Sequence, residues 1–222
     1  MSYIAIEGPI GCGKTTLAGL LAERTGARLV LEKFDENPFL LDFYSDPLLS
    51  PSKGHPRSAF QTQLFFLLSR FRQQREMLQR DLFYENVISD YLFVKDRLFA
   101  SINLTGEELE LYDEVESALV KKVPEPDVVI YLPASVPVLL EKIRRRGRSY
   151  ESNLSNEYLT SIVEAYNDYF FHYRQSRLIV LDADRTDFLR NPGEVDRLLE
   201  AIYREPHPPV EFLASPTPMF ST

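Results

Sequence analysis

The chain has 222 residues, 44% hydrophobic and 26% charged, which is material for one sizeable globular α/β domain rather than two. Its formal charge of −8 argues against broad non-specific binding to nucleic acid or anionic membrane, both of which need an excess of Lys and Arg. A lone cysteine, no apolar window near the roughly 20 residues of a membrane helix, and an N-terminus without signal features predict a cytoplasmic protein without disulfides.

Residues 3–7 read as a short buried strand, and residues 14–24 carry Leu17, Leu20 and Leu21 at amphipathic-helix spacing. A second β-like run covers 27–32, and an apolar segment follows at 38–44. Residues 46–58, with Pro47, Pro51, Gly54 and Pro56, predict an exposed loop. From 58 to 80, Phe60, Leu64, Leu67, Leu68, Phe71 and Leu78 form one stripe of a long half-buried helix. Residues 82–89 predict a strand ending at Asp90, with helical patterns over 91–101 and 107–121. The run DVVIYL at 127–132 is the cleanest buried strand, and a helix from Ser135 leads into the basic stretch RRRGR at 144–148. A long helix over 156–173, a fifth strand at 178–181 and a last helix at 192–203, with Pro192 in its first turn, complete the domain over 1–204. Five prolines beyond Glu205 predict an irregular tail over 205–222. Alternating strands and helices imply a mainly parallel sheet covered on both faces.

Gly8, Pro9, Ile10, Gly11, Cys12, Gly13, Lys14 and Thr15 fit G-x-x-x-x-G-K-[ST], directly after a strand and before a helix. Glycines let backbone amides curl toward phosphate oxygens, the helix N-terminus adds partial positive charge, and Lys14 adds a full one. With Thr16 next in the cradle and the Thr15 hydroxyl suited to Mg²⁺, the motif predicts ATP and Mg²⁺ as ligands. Cys12 reads as packing, since phosphate chemistry asks nothing of a thiol. The three histidines are scattered, without zinc-ligand spacing.

The phosphate loop is followed, in order, by LEKFDENPFLLDFY at 31–44, FQTQLFFLLSRFRQQ at 60–74, SDYLFVKDRLFA at 89–100 and RRRGRSYE at 144–151. This ordered set resembles the deoxynucleoside kinase family over about residues 3–182, nearest to its bacterial deoxyadenosine/deoxyguanosine kinases. The resemblance implies a P-loop kinase fold of five parallel strands with helices on both faces, an arginine-rich lid and a homodimer. It implies transfer of the ATP γ-phosphate to the 5′-hydroxyl of a deoxynucleoside, purine preferred, as part of nucleotide salvage. Asp90 matches the family's catalytic acid, and Glu32 the acid near the 5′-hydroxyl and metal; Thr15, Glu32 and Asp90 are then the metal candidates. Gln63 and Arg70 match residues that read the base. Seven positions apart, they project from one helix face at a separation of roughly 10 Å. Asp96 matches the aspartate that pairs with that arginine, and Glu151 and Tyr158 the pair on the sugar 3′-hydroxyl.

Arg144, Arg145, Arg146 and Arg148 resemble the family lid, with Arg146 and Arg148 aligning best as catalytic cations and Arg144 and Arg146 as nucleotide contacts. Such charges stabilise the equatorial oxygens in phosphoryl transfer. One departure stands out: family members usually follow the acid with arginine, and this chain has Tyr91, so another cation, with Lys95 or a downstream arginine as candidates, must take over or activity is weak. Phe66 and Phe93 are the aromatic residues to watch near ligand. The alternatives are a thymidylate-like nucleoside monophosphate kinase, and a nucleotide-binding subunit with little activity.

Overall fold

The computed structural model describes residues 2–49, 54–79, 86–151 and 154–214. Six strands alternate with eight α-helices among these residues: β1 (Ser2–Glu7), α1 (Lys14–Thr25), β2 (Arg28–Val30), α2 (Leu40–Ser45), α3 (Ala59–Gln79), β3 (Asn86–Ser89), α4 (Lys95–Asn103), α5 (Gly106–Val120), β4 (Val128–Tyr131), α6 (Val136–Arg146), α7 (Asn156–His172), β5 (Arg177–Leu181), α8 (Pro192–Tyr203) and β6 (Val210–Leu213). Every strand pair is parallel, in the order β2-β3-β1-β4-β5-β6. The central strands β1 and β4 are almost wholly apolar and buried, as expected where helices cover both faces.

The sheet has six strands, not the five expected. Val210–Leu213 lies in the segment expected to be irregular, yet it pairs in register with β5, Leu178 opposite Val210 and Leu181 opposite Leu213. The neighbouring prolines stay outside the strand, and Arg177 ties the edge down by donating to the Ile202 and Ala201 carbonyls and to Glu211. Residues 215–222 of that expected tail lie outside the described residues, as do 50–53 of the loop expected over 46–58 and 82–85 of the strand expected over 82–89.

Two local departures shape the site. β2 spans three residues instead of six because its continuation is diverted: the Glu32 amide donates to the Asp90 side chain rather than to a neighbouring strand. α4 begins at Lys95, four residues later than expected, because the Leu92 amide donates to the buried Glu7 carboxylate at 2.6 Å. In the order found, β1 lies between β3 and β4, so the loop after β1 opens at the carboxyl ends of the strands where the chain direction across the sheet reverses. Open α/β sheets bind ligands there.

Candidate active site

A cleft of about 870 Å³ lies over the carboxyl ends of the strands, a size suited to small-molecule ligands. At its floor is the phosphate loop. The Glu7 carboxylate, fully buried, accepts the Gly8 amide at 2.9 Å, the Tyr166 hydroxyl at 3.0 Å and the Leu92 amide at 2.6 Å. Three donors on one carboxylate offset its burial and tie the loop's start to the segment after β3. Gly8 leaves no room for a side chain, since a Cβ there would lie 2.6 Å from the Leu132 carbonyl oxygen. Gly13 turns the chain into α1 with φ of 110°, a conformation that favours glycine. Lys14 arches over the loop, its Nζ donating to the Gly8 and Pro9 carbonyls at 2.7 and 3.0 Å. Burial opposes the Lys14 ammonium, but Cys12 and the carboxylates of Glu7, Glu32 and Asp90 raise its pKa overall. Burial also pushes the Cys12 thiol up, so Cys12 is a packing residue, as its sequence position suggests.

Asp90 and Glu32 meet beside Thr15. The Thr15 hydroxyl donates to Asp90 Oδ2 at 2.6 Å, and Asp90 Oδ1 accepts the Glu32 amide at 2.7 Å. The Glu32 side chain turns away toward the other half of the cleft, where Lys95 Nζ donates to Oε2 at 2.5 Å and Arg70 donates to Oε1. Burial alone would raise the Glu32 carboxyl, but Arg70 and Lys95 hold it well below the usual carboxylate range. Arg70 also grips Asp96, which is fully buried, and lies 4.8 Å from the centroid of the Phe66 ring. One guanidinium thus bridges two carboxylates, the fork geometry for which arginine is suited. The Arg70 Nε and Asp96 Oδ2 atoms are buried without a partner. Gln63, 2% exposed, lines the same end with Phe34, Tyr44 and Phe99.

Over the opposite wall, α6 carries Lys142 and the basic run. Arg145, Arg146 and Arg148 line the cleft. Arg144 does not: it is exposed on α6 and turned away, because successive helix positions are about 100° apart. Arg146 donates to Glu151 Oε2 at 2.5 Å and Arg148 to Oε1 at 3.5 Å, and the Arg148 guanidinium stacks 3.8 Å over Phe34. Tyr158, the expected partner of Glu151, is absent from the cleft lining. Tyr158 is 1% exposed, its hydroxyl accepting from Asn103 at 3.1 Å, and it belongs to the α7 core stripe rather than to the cleft. Tyr44 lines the cleft instead, 5.5 Å ring to ring from Tyr150. Phe66 lines the cleft, whereas Phe93 is buried in the core.

Two parts of the lining carry no motif of their own in the sequence: Tyr44, although it closes the segment 31–44, and residues 183–191. Those residues follow β5 and wall the end of the cleft nearest α6; Lys142 joins them to the phosphate loop by donating to the Ala183 and Cys12 carbonyls at 2.9 and 3.5 Å. Position just past the carboxyl end of a parallel strand is the signal that marks them. Tyr91 is fully buried and absent from the cleft lining.

Three comparisons agree with this geometry. The profile of the family described as Deoxynucleoside kinase matches residues 4–205. The deoxyguanosine kinase of Bacillus subtilis is 32% identical over 201 residues, which is 88% of this chain and 93% of the relative; a deoxyadenosine kinase of Lactobacillus acidophilus is 27% identical over 91% of this chain and 95% of its own length. The structure of deoxyadenosine kinase from M. mycoides with bound dATP has the same fold, with a TM-score of 0.75 at 24% identity over 90% of this chain and all of that one. A phosphate loop at the carboxyl end of β1, a lid of arginines above it and a profile match over nearly the whole chain lead to one conclusion: this protein is a phosphotransferase of the deoxynucleoside kinase family.

Proposed function

We propose that the chain moves the ATP γ-phosphate to the 5′-hydroxyl of a purine deoxynucleoside, deoxyguanosine or deoxyadenosine, in cytoplasmic nucleotide salvage. The observation that carries this is the charge balance of the acceptor half. Its cations Arg70 and Lys95 are already paired with Glu32 and Asp96, which suits a neutral nucleoside. A monophosphate acceptor would bring its negative charge to the Glu32 carboxylate and would need an unpaired arginine there. The relatives named deoxyguanosine and deoxyadenosine kinases support a purine. So does the Gln63 amide, which lines the cleft and offers a donor and an acceptor to a base edge beside Arg70, while Asp96, fully buried behind the lining, holds Arg70 in place. Phe66 supplies an apolar face beside them. Glu151, with Tyr44 in the place foreseen for Tyr158, suits the sugar 3′-hydroxyl.

In this reading the loop from Ile10 to Thr16, through its backbone amides, and the Lys14 ammonium hold the triphosphate, while Gly8 and Pro9 shape the start of the loop. Arg146 and Arg148 leave Glu151 to meet charge on the transferring group. The hydroxyl of Thr15 and the carboxylate of Asp90 form a hard-oxygen pair that fits Mg²⁺, which takes one or two carboxylates and fills its shell with phosphate and water; Glu32, foreseen with them, has its carboxylate on Arg70 and Lys95 instead. Bound there, Mg²⁺ would neutralise charge on phosphate oxygens. Proton removal, foreseen for Asp90, is better given to Glu32 on position: both acids hold donors on both oxygens, but Asp90 faces Thr15 at the phosphate loop whereas the Glu32 carboxylate lies in the acceptor half beside Arg70 and Lys95. Glu32 is a weak base while Arg70 and Lys95 face it, but loose phosphoryl transfer asks more of positioning than of basicity. We also place the protein as a homodimer. α3 and α5 pack together and leave Leu68 and Leu111 exposed, which suits burial against a second copy.

The test is a panel of deoxyguanosine, deoxyadenosine, deoxycytidine, thymidine and dTMP with purified protein and MgATP, products resolved by chromatography. Purine deoxynucleosides should be turned over fastest; preferential phosphorylation of dTMP would defeat the reading.

A further inference from the structure

Lys95 is a cation in an expensive place. Its side chain is 9% exposed, and burial, helped by the cations Lys14 and Arg70 and opposed by Glu32, lowers its ammonium pKa. A buried ammonium persists where a partner compensates it. Here the partner is Glu32 Oε2 at 2.5 Å, while Arg70 takes Oε1. The two cations are not equivalent. Both line the cleft, but Arg70 is shared with buried Asp96 at the base end, whereas the Lys95 ammonium spends one of three donors on Glu32. Among the described residues that line the cleft outside α6 and the lid after it, up to Glu151, and outside the wall at 183–191, the cations are Lys14, Arg70 and Lys95. The residue that follows Asp90, Tyr91, is fully buried and supplies no charge.

We propose that Lys95 is the positioning residue of the acceptor side: by gripping Glu32 Oε2 it holds that carboxylate toward the acceptor hydroxyl and keeps a positive charge between Glu32 and the phosphate loop. The late start of α4 makes this possible. With the Leu92 amide held by Glu7, the first turn of α4 brings Lys95 into the buried lining of the cleft and leaves Tyr91 behind in the core. The proposal rests on the nucleoside kinase reading, because it gives Glu32 the acceptor hydroxyl.

Wild type, Lys95→Met and Lys95→Arg are compared by steady-state kinetics with deoxyguanosine and MgATP, with melting curves in parallel. Lys95→Met should lower kcat on the order of 100-fold, the scale of losing one preorganised charge, while KM for ATP stays within about 3-fold. Lys95→Arg should recover at least about 10-fold of that loss. A kcat for Lys95→Met within about 3-fold of wild type, a loss confined to KM, or Lys95→Arg no better than Lys95→Met each overturns the proposal. If Lys95→Met melts below the assay temperature, Lys95→Gln replaces it in the comparison, and equal kcat for Gln and Arg variants overturns the proposal. A wild type that phosphorylates no deoxynucleoside sinks the underlying reading, whereas an active wild type with an unaffected Lys95→Met sinks the role of Lys95 alone.

Discussion

Replacing Arg70 with methionine should destabilise the fold as well as the site. Methionine fills similar space, so the effect is chiefly electrostatic. It leaves Asp96, fully buried and with Oδ2 already lacking a partner, without its cation, and leaves Glu32 held by Lys95 alone. Removing one partner of a buried pair costs about 3–5 kcal/mol, because the abandoned charge stays out of water. For a domain of this size each kcal/mol moves Tm by about 2–4 °C, so the midpoint should fall by roughly 6–20 °C. Asp96→Asn in the same chain removes the stranded charge and should return part of the loss, with a coupling of about 2 kcal/mol in a double-mutant cycle. Urea unfolding of wild type, both single variants and the double variant measures all four corners. An Arg70→Met protein within about 1 kcal/mol of wild type, or strictly additive variants, would refute the claim that Arg70 neutralises a buried acid.

Two more outcomes follow from the same neighbourhood. Tyr44→Phe should raise KM for the deoxynucleoside by about 5- to 10-fold with Tm nearly unchanged, the scale of one hydrogen bond, whereas Tyr158→Phe should leave KM unchanged and cost about 1 kcal/mol of stability through Asn103; the reverse pattern would return the sugar contact to Tyr158. Glu32 sets a pH dependence: its folded pKa is depressed, so the stability it adds is present above the ordinary carboxylate value of about 4.3 and is lost as pH falls through the folded value. Circular dichroism of the metal-free protein should show a steeper acid limb in wild type than in Glu32→Gln, and identical limbs would contradict the pairing.

How much of this was legible in the sequence depends on whether a feature is local. The phosphate loop, α3 and the buried strand at 127–132 were legible because motif and periodicity are properties of neighbouring residues. β6 was not: four residues between prolines carry little pattern, and what makes them a strand is the register with β5, about thirty residues earlier. The burial of Tyr158 was legible too, since Tyr158, Ile162 and Tyr166 fall four apart on one buried face of α7. Tyr44 was harder, because its nearness to Tyr150 and Glu151 arises from α2 packing against the turn Ser149–Glu151.

The replacement of arginine by Tyr91 shows the same division at closer range. Counted along the chain, the position after Asp90 has lost its cation, and weak catalysis is the natural expectation. In space, the loss is conditional on where the next helix begins, and that is decided by a hydrogen bond from Leu92 to an acid 85 positions earlier. Because Glu7 delays α4, Tyr91 packs in the core and Lys95 comes to rest on Glu32. A charge that the motif omits is thus available from the first turn of the following helix, so a missing motif residue argues against activity only after the neighbours that share its space have been counted.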